Sequence, residues 1–147
     1  MRIGVNTLFL IPGEVGGTET YLRETLRALA ELSEDVEWVL FTNRENAGYL
    51  RRIFGPFRHV TFHPLPLSAT NRYARIIREQ IELPFRVAGS RVDLLWSPGY
   101  TAPFFSPCPQ AVTIPDMQYR RYPEDLTLLA RLATDILVRM AARRCRR

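Results

Sequence analysis

The sequence predicts an α/β domain of three layers, a mostly parallel sheet of about five strands with helices on both faces. Three observations predict it. Short β-prone runs alternate with segments of helical periodicity along the chain, and several of those runs are nearly continuous in apolar residues, as strands covered on both faces require. The opening is the third: Ile3-Gly4-Val5-Asn6-Thr7-Leu8 leads through Gly13, Gly16 and Gly17 into an amphipathic segment starting near Thr18, which is how doubly wound domains begin.

The elements follow in order. Leu22, Leu26, Leu29 and Ala30 make an apolar stripe at helical spacing, with Arg23, Glu24, Arg27 and Glu31 largely outside it, and this predicts a helix ending near Ser33. Residues 36–42 are β-prone and make the second strand, after which Asn43 is placed to cap a short helix. Residues 59–63 alternate with period two and read as a third strand, closed by Pro64 and Pro66, neither of which can serve a central ladder. Tyr73, Ile76, Ile77 and Ile81 recur at helical spacing and predict the apolar face of a helix that Pro84 should kink or end. Residues 92–96 form the fourth strand. The stretch from Ser97 to Pro109 holds four prolines, one glycine and three aromatics, a composition suited to a rigid loop that presents rings and main-chain groups. Residues 111–114 form the fifth strand and run into Pro115-Asp116-Met117-Gln118-Tyr119-Arg120. A final helix carries Leu129, Leu132, Ala133, Ile136, Leu137 and Met140 on one face and Arg131, Asp135, Arg139 and Arg143 elsewhere.

Composition bounds the partners. The chain has 147 residues and is 46% hydrophobic, which fits one domain, residues 1–147, burying about two thirds of its unfolded surface. Its +5 charge arises from twenty arginines, with no lysine, against fifteen acids. Such a surface attracts phosphates and anionic headgroups, but the arginines are scattered and no nucleic-acid recognition motif is present. Cys108 and Cys145 stand far apart, which suggests free thiols in a reducing compartment. The N-terminal apolar stretch is interrupted by Gly4, Asn6, Pro12 and Gly13 and reads as a strand, and no run approaches the roughly 18 apolar residues of a membrane span.

The glycine turn carries the chemistry. Glycines allow a ligand oxygen close to the backbone, and the first amides of a helix add donors and about half a positive charge, so Gly16, Gly17 and Thr18 suit a phosphate, diphosphate or sugar oxygen. The competing reading is a plain structural turn: Gly13-x-x-Gly16-Gly17 is neither the dinucleotide fingerprint nor a P-loop. Glu19 sits in the first helical turn, where its carboxylate would compete with an incoming anion. In open α/β sheets ligands gather outside the carboxyl ends of the strands, where both this turn and the segment after the fifth strand should emerge.

Taken together, Gly16-Gly17-Thr18-Glu19-Thr20-Tyr21-Leu22-Arg23-Glu24 and Val112-Thr113-Ile114-Pro115-Asp116-Met117-Gln118-Tyr119-x-x-Tyr122-Pro123-Glu124 resemble the N-terminal, Rossmann-like domain of family 4 glycosyltransferases, and the resemblance covers nearly the whole chain. It implies the acceptor-side half of a two-domain enzyme that transfers a sugar from a nucleotide-sugar to an acceptor with retention of configuration. The nucleotide-sugar is a co-substrate, and neither a cofactor nor a metal is expected. A donor-binding domain with a pair of glutamates would be supplied in cis or in trans, and the isolated chain should be inactive. The free thiols and the basic surface together place the expected protein in the cytoplasm, with any membrane contact peripheral, at the inner face.

Carried over by position, Gly16, Gly17 and Thr18 would offer amides to the donor diphosphate or the acceptor, and Asp116 would lie beside the reacting sugar as the catalytic candidate. Pro98, Gly99 and Tyr100 would form part of the acceptor wall, with Gln118, Tyr119 and Arg120 contributing. Pro115 stands where many relatives have histidine, which keeps a carbonyl and loses a side-chain donor. Asp116 has a competing role as the cap of the turn after the fifth strand.

Other readings weigh less. His59 and His63, four apart on a strand, would share a face at about 13 Å, too far for one metal. Cys108 lies between Pro107 and Pro109 with no histidine beside it to activate it. A nicotinamide-nucleotide module would use an acidic residue after the second strand to hold a ribose hydroxyl, where this chain has Phe41-Thr42-Asn43-Arg44, although Arg44 could meet a 2′-phosphate. A noncatalytic subunit that docks on a membrane or a partner would use the last helix and the arginine-bearing helix with Arg72, Arg75 and Arg78.

Overall fold

A computed structural model describes residues 1–122 and 127–145. It contains a five-stranded, all-parallel sheet of β1 (Arg2–Asn6), β2 (Glu37–Thr42), β3 (Val60–Pro64), β4 (Leu94–Ser97) and β5 (Gln110–Val112), in the order β3-β2-β1-β4-β5. The helices are α1 (Gly17–Leu32), α2 (Ala47–Phe54), α3 (Arg72–Ser90), the single turn α4 (Gln118–Arg121) and α5 (Leu128–Arg144). The chain adds β2 and β3 on one side of β1, then crosses back to add β4 and β5 on the other, so the strand order reverses between β1 and β4. This is the three-layer Rossmann-like arrangement that the sequence predicts.

Strand alternation builds the two faces. Ile3 and Val5 of β1 and Trp38 and Leu40 of β2 pack with Leu22, Leu26 and Ala30 of α1 and Leu50 and Phe54 of α2. Val39, Phe41 and Leu95 point the other way and pack with Leu83 and Val87 of α3. Gly4 lies on that second face, where a Cβ would come within 2.9 Å of the Phe41 ring, so close sheet packing requires glycine there.

Three local expectations need correction. Pro84 neither ends nor interrupts α3, which runs through it to Ser90. An interior proline costs about 3 kcal/mol, and burying its neighbours Leu83 and Val87 at about 1.5–3 kcal/mol each offsets it. The buried face of α3 is Arg75, Glu79, Leu83, Pro84, Val87 and Ser90, while Tyr73, Ile77 and Ile81, expected inside, are 66%, 59% and 58% exposed. Finally, His59 and His63 lie on opposite faces. His59 precedes β3 and its Nε2 lies 3.0 Å from the carbonyl of Ala30 in α1, whereas Nδ1 of His63 lies 3.0 Å from the hydroxyl of Ser90 in α3.

The remaining boundaries move by one or two residues, as strand ends do. β4 reaches Ser97, and β5 begins at Gln110. Residues 98–109 cross from β4 to β5 without a helix, as their proline content demands.

Candidate functional site

The site lies at the carboxyl ends of β1, β4 and β5, and the loop from β1 to α1 is its most heavily braced part. Asn43 and Asn46, both fully buried, exchange side-chain to backbone hydrogen bonds across the turn after β2, at 3.0 and 2.7 Å. Their amide groups then donate to the carbonyls of Thr7, Leu8 and Leu10 at 2.7–3.2 Å. Asn43 is therefore a loop clamp, and Asn46 takes the N-cap position of α2 that was expected of Asn43.

Past this clamp the backbone turns at Gly13 and Gly16, with φ of 82° and 55°, values that favour glycine. A Cβ on Gly16 or Gly17 would meet nothing within 4 Å, so both face open space. Gly16 caps α1 without a side-chain acceptor, and the amides that open a helix have no acceptor within it. Glu19, in the first turn of α1, is held in place by two hydrogen bonds. Its two carboxylate oxygens accept from the Gly13 amide at 2.7 Å and the Tyr49 hydroxyl at 2.6 Å, and the Tyr49 bond, ahead of burial, which opposes it, holds the carboxyl below its ordinary range.

α1 and β5 meet through Tyr21, one turn into the helix. Its hydroxyl lies 3.4 Å from the hydroxyl of Thr113, which also accepts from the Trp96 indole at 3.1 Å, and the two aromatic rings meet edge to face at 6.4 Å. Thr113 is three residues before Asp116, whose carboxylate is exposed in the segment that leaves β5 at its carboxyl end. The loop after β4 completes the group. Tyr100, with φ of 45°, donates its hydroxyl to Asp116, and burial together with that carboxylate pushes the phenol up to about 12.

Not every expected residue reaches this surface. Pro98 and Gly99 are buried, and a Cβ on Gly99 would lie 2.7 Å from the Phe9 ring, so the glycine lets the β1 and β4 loops pack together, while Tyr100 is part-exposed. Arg120 is engaged with α5: its Nε donates to Asp135 at 2.7 Å, and Asp135 also pairs with Arg139 at 2.6 Å. Gln118 and Tyr119 lie in α4, but their side chains are outside the described residues, as are Pro123 and Glu124.

Beneath the site is a polar group that the sequence reading missed. Glu79 is fully buried and accepts from Asn6 Nδ2 at 3.0 Å, Thr101 Oγ1 at 3.0 Å and Arg75 at 3.2 Å, while Asn6 also donates to Ser97 at 3.3 Å. Burial pushes the Glu79 carboxyl up, against the pull of Arg75, Thr101 and Asn6, and burial likewise lowers Arg75. The network ties β1, β4, α3 and the Tyr100 loop together at the point where the strand order reverses. A hint was present in the (i, i+4) spacing of Arg75 and Glu79, on the side of α3 away from Ile77 and Ile81.

The arginines proposed for a docking helix are used within the fold. Arg75 is buried against Glu79, Arg78 binds Glu82 and the Pro66 carbonyl, and Arg72 donates to Thr134. No helix among the described residues is long and apolar enough to cross a membrane, and no cluster of three or more His, Cys, Asp or Glu among them could hold a metal. Comparison with protein-family models, curated protein sequences and solved structures finds no match to this chain.

Proposed function

We propose that this chain is the acceptor-side half of a retaining glycosyltransferase that uses a nucleotide-sugar, with the donor-binding half supplied in cis or in trans. The observation that carries the reading is the convergence of the Gly16-Gly17 helix start, Tyr100 and Asp116 at the carboxyl ends of β1, β4 and β5, linked by the Tyr21 to Thr113 contact and the Tyr100 to Asp116 bond.

The charges suit the reaction. As the glycosidic bond to the diphosphate breaks, negative charge grows on the leaving group and positive charge on the sugar. The amides of Gly17 and Thr18, at the positive end of α1, oppose the first, and the Asp116 carboxylate opposes the second. The Tyr100 hydroxyl, protonated at neutral pH, orients that carboxylate. Asp116 acts as an electrostatic partner of the sugar in this scheme, and the acceptor's proton passes to an oxygen of the departing diphosphate as the new glycosidic bond forms. The protein is cytoplasmic in this reading. Any membrane contact is peripheral and does not run through Arg75.

The test is an amide NMR titration of the 147-residue chain with a nucleoside diphosphate sugar. The expected result is weak, saturable shifts at Gly16, Gly17, Thr18 and Tyr100, with no sugar transfer until a donor half is added. Unmoved glycine-turn amides at millimolar ligand, or rapid transfer by the chain alone, would overturn the reading. Saturable energy transfer to a reduced nicotinamide would replace it with a dinucleotide-binding role.

A further inference from the structure

We propose that the outer face of α3 is a self-association surface that packs against α3 of a second copy of this chain as an antiparallel pair. The face is apolar where a surface helix is ordinarily polar. Arg75, Glu79, Leu83 and Val87 are buried against the sheet, and at about 100° per residue the opposite side of the helix is formed by Tyr73, Ala74, Ile77, Ile81, Phe85 and Ala88. All six are exposed, Phe85 by 76%. The four large side chains among them present about 500 Å² to solvent, at the upper end of the largest apolar patch on a monomer. Gln80 extends that surface. Its side chain donates to the Ala102 carbonyl at 3.2 Å and accepts the Phe104 amide at 2.7 Å, which brings the loop that carries exposed Phe105 alongside α3.

Shape, charge and area favour a second copy as the occupant. Tyr73, Ile77, Ile81 and Phe85 recur every four residues, the ridge that seats in the groove of another helix in the commonest class of helix packing. Crossed helices are closest at their centre and diverge toward their ends. The isoleucines stand at the centre of this ridge and the aromatic rings at its ends, where longer side chains are needed to reach across. Arg78 and Glu82 flank the ridge and bind each other at 2.9 Å. An antiparallel pair centred near Gln80 sets Arg78 of each copy toward Glu82 of the other, so the flank is complementary to itself. An anionic lipid surface would instead call for free cations beside the ridge. Arg75 and Arg78 are paired within α3, Arg72 donates to Thr134, and Arg86 lies further round the helix, on the side of His63. Two such faces with their flanks bury about 1,200 Å² in total, the low end for specific interfaces, which makes the dimer a reversible one. The inference does not rest on the sugar-transfer reading.

The experiment is sedimentation velocity of the 147-residue chain from micromolar to millimolar concentration. A monomer–dimer equilibrium is expected, and added salt should strengthen it, because each copy carries a charge of +5 that salt screens. Ile81→Glu should weaken the dimer about tenfold or more, since a charge in the middle of the interface is desolvated without a partner, and should leave thermal unfolding of the monomer unchanged. Arg78→Glu and Glu82→Arg should each weaken self-association, whereas a mixture of the two variant chains should form heterodimers in preference to either homodimer. A chain that stays monomeric at millimolar concentration overturns the proposal, as does a dimer untouched by Ile81→Glu or a mixture of the charge variants with no preference for heterodimers. Co-flotation of a monomeric chain with phosphatidylcholine–phosphatidylglycerol vesicles, abolished by Ile81→Glu, would give the face to a membrane instead. Ile81→Glu leaves the glycine turn intact, so nucleotide-sugar binding there should be unchanged, and failure of either reading leaves the other standing.

Discussion

α1 and α3 cover opposite faces of one sheet and meet it with opposite chemistry. α1 sets Leu22, Leu26 and Ala30 on the apolar centre of β1 and β2 and ends at the glycine turn with its first amides open. α3 sets Leu83 and Val87 on the same sheet, but its first half lies over the strand ends, where Asn6 of β1, Ser97 of β4 and Thr101 of the following loop offer polar groups. There it buries Arg75 and Glu79 and leaves Ile77 and Ile81 to solvent. What a helix buries follows from what lies under it, and at the carboxyl ends of β1 and β4 that surface is polar.

The largest test of this contrast is Glu79→Ala. It leaves Arg75 as a buried charge with its carboxylate removed and should lower stability by about 3–5 kcal/mol in urea unfolding, whereas replacing both residues by apolar ones of similar volume should recover most of the loss. If Glu79→Ala costs less than about 1 kcal/mol, the network does not organise the switch point.

Next come paired truncations of the apolar stripes. Leu26→Ala in α1 should cost about 2–5 kcal/mol and Ile81→Ala in α3 no more than about 0.5, although both positions belong to apolar patterns of the same kind. Equal losses would mean that α3 buries the face its periodicity suggests.

Gly16→Ala forces an alanine to φ of 55° and ψ of −130° and should cost about 1–3 kcal/mol while abolishing the weak response of the α1 amides to diphosphate. A smaller change is expected on acidification. Because the Glu19 carboxyl is held below its ordinary value of 4.5, its bonds to Gly13 and Tyr49 stabilise the loop fully above that pH and are lost as pH falls through the folded-state value, which faster exchange of the Gly13 amide would report. The least effect on stability is expected from Asp116→Asn. It should bring the ultraviolet titration of Tyr100 down from about 12 toward its ordinary 10 without reaching it, since burial remains the larger cause.

The opening motif was legible because its physics is local. Glycine at a turn, a helix stripe and a β-prone run each depend on neighbours within a few residues, so β1, the glycine turn and α1 can be read in order along the chain. Asp116 was likewise placed by the strand before it. The roles of Asn43, Asn46, Arg75 and Glu79 were not legible. Each is defined by partners distant in sequence, as with Asn46 and Thr7 or Glu79 and Asn6, and polar residues carry no periodic signature of burial. Pro98 and Gly99 were misjudged for a related reason: a proline and a glycine suit an exposed loop, but the absence of a Cβ at Gly99 is used by Phe9 from another loop.

By itself, then, the order of residues determined the alternation of strands and helices and the apolar register of the sheet, because backbone propensity and side-chain periodicity act over short distances. Tertiary structure alone decided which face of α3 turns inward, how Tyr49 fixes the Glu19 carboxylate, and that Tyr100 holds Asp116. Those outcomes are set by which polar groups the closing of a β3-β2-β1-β4-β5 sheet brings within hydrogen-bond distance, and no one-dimensional pattern encodes that proximity.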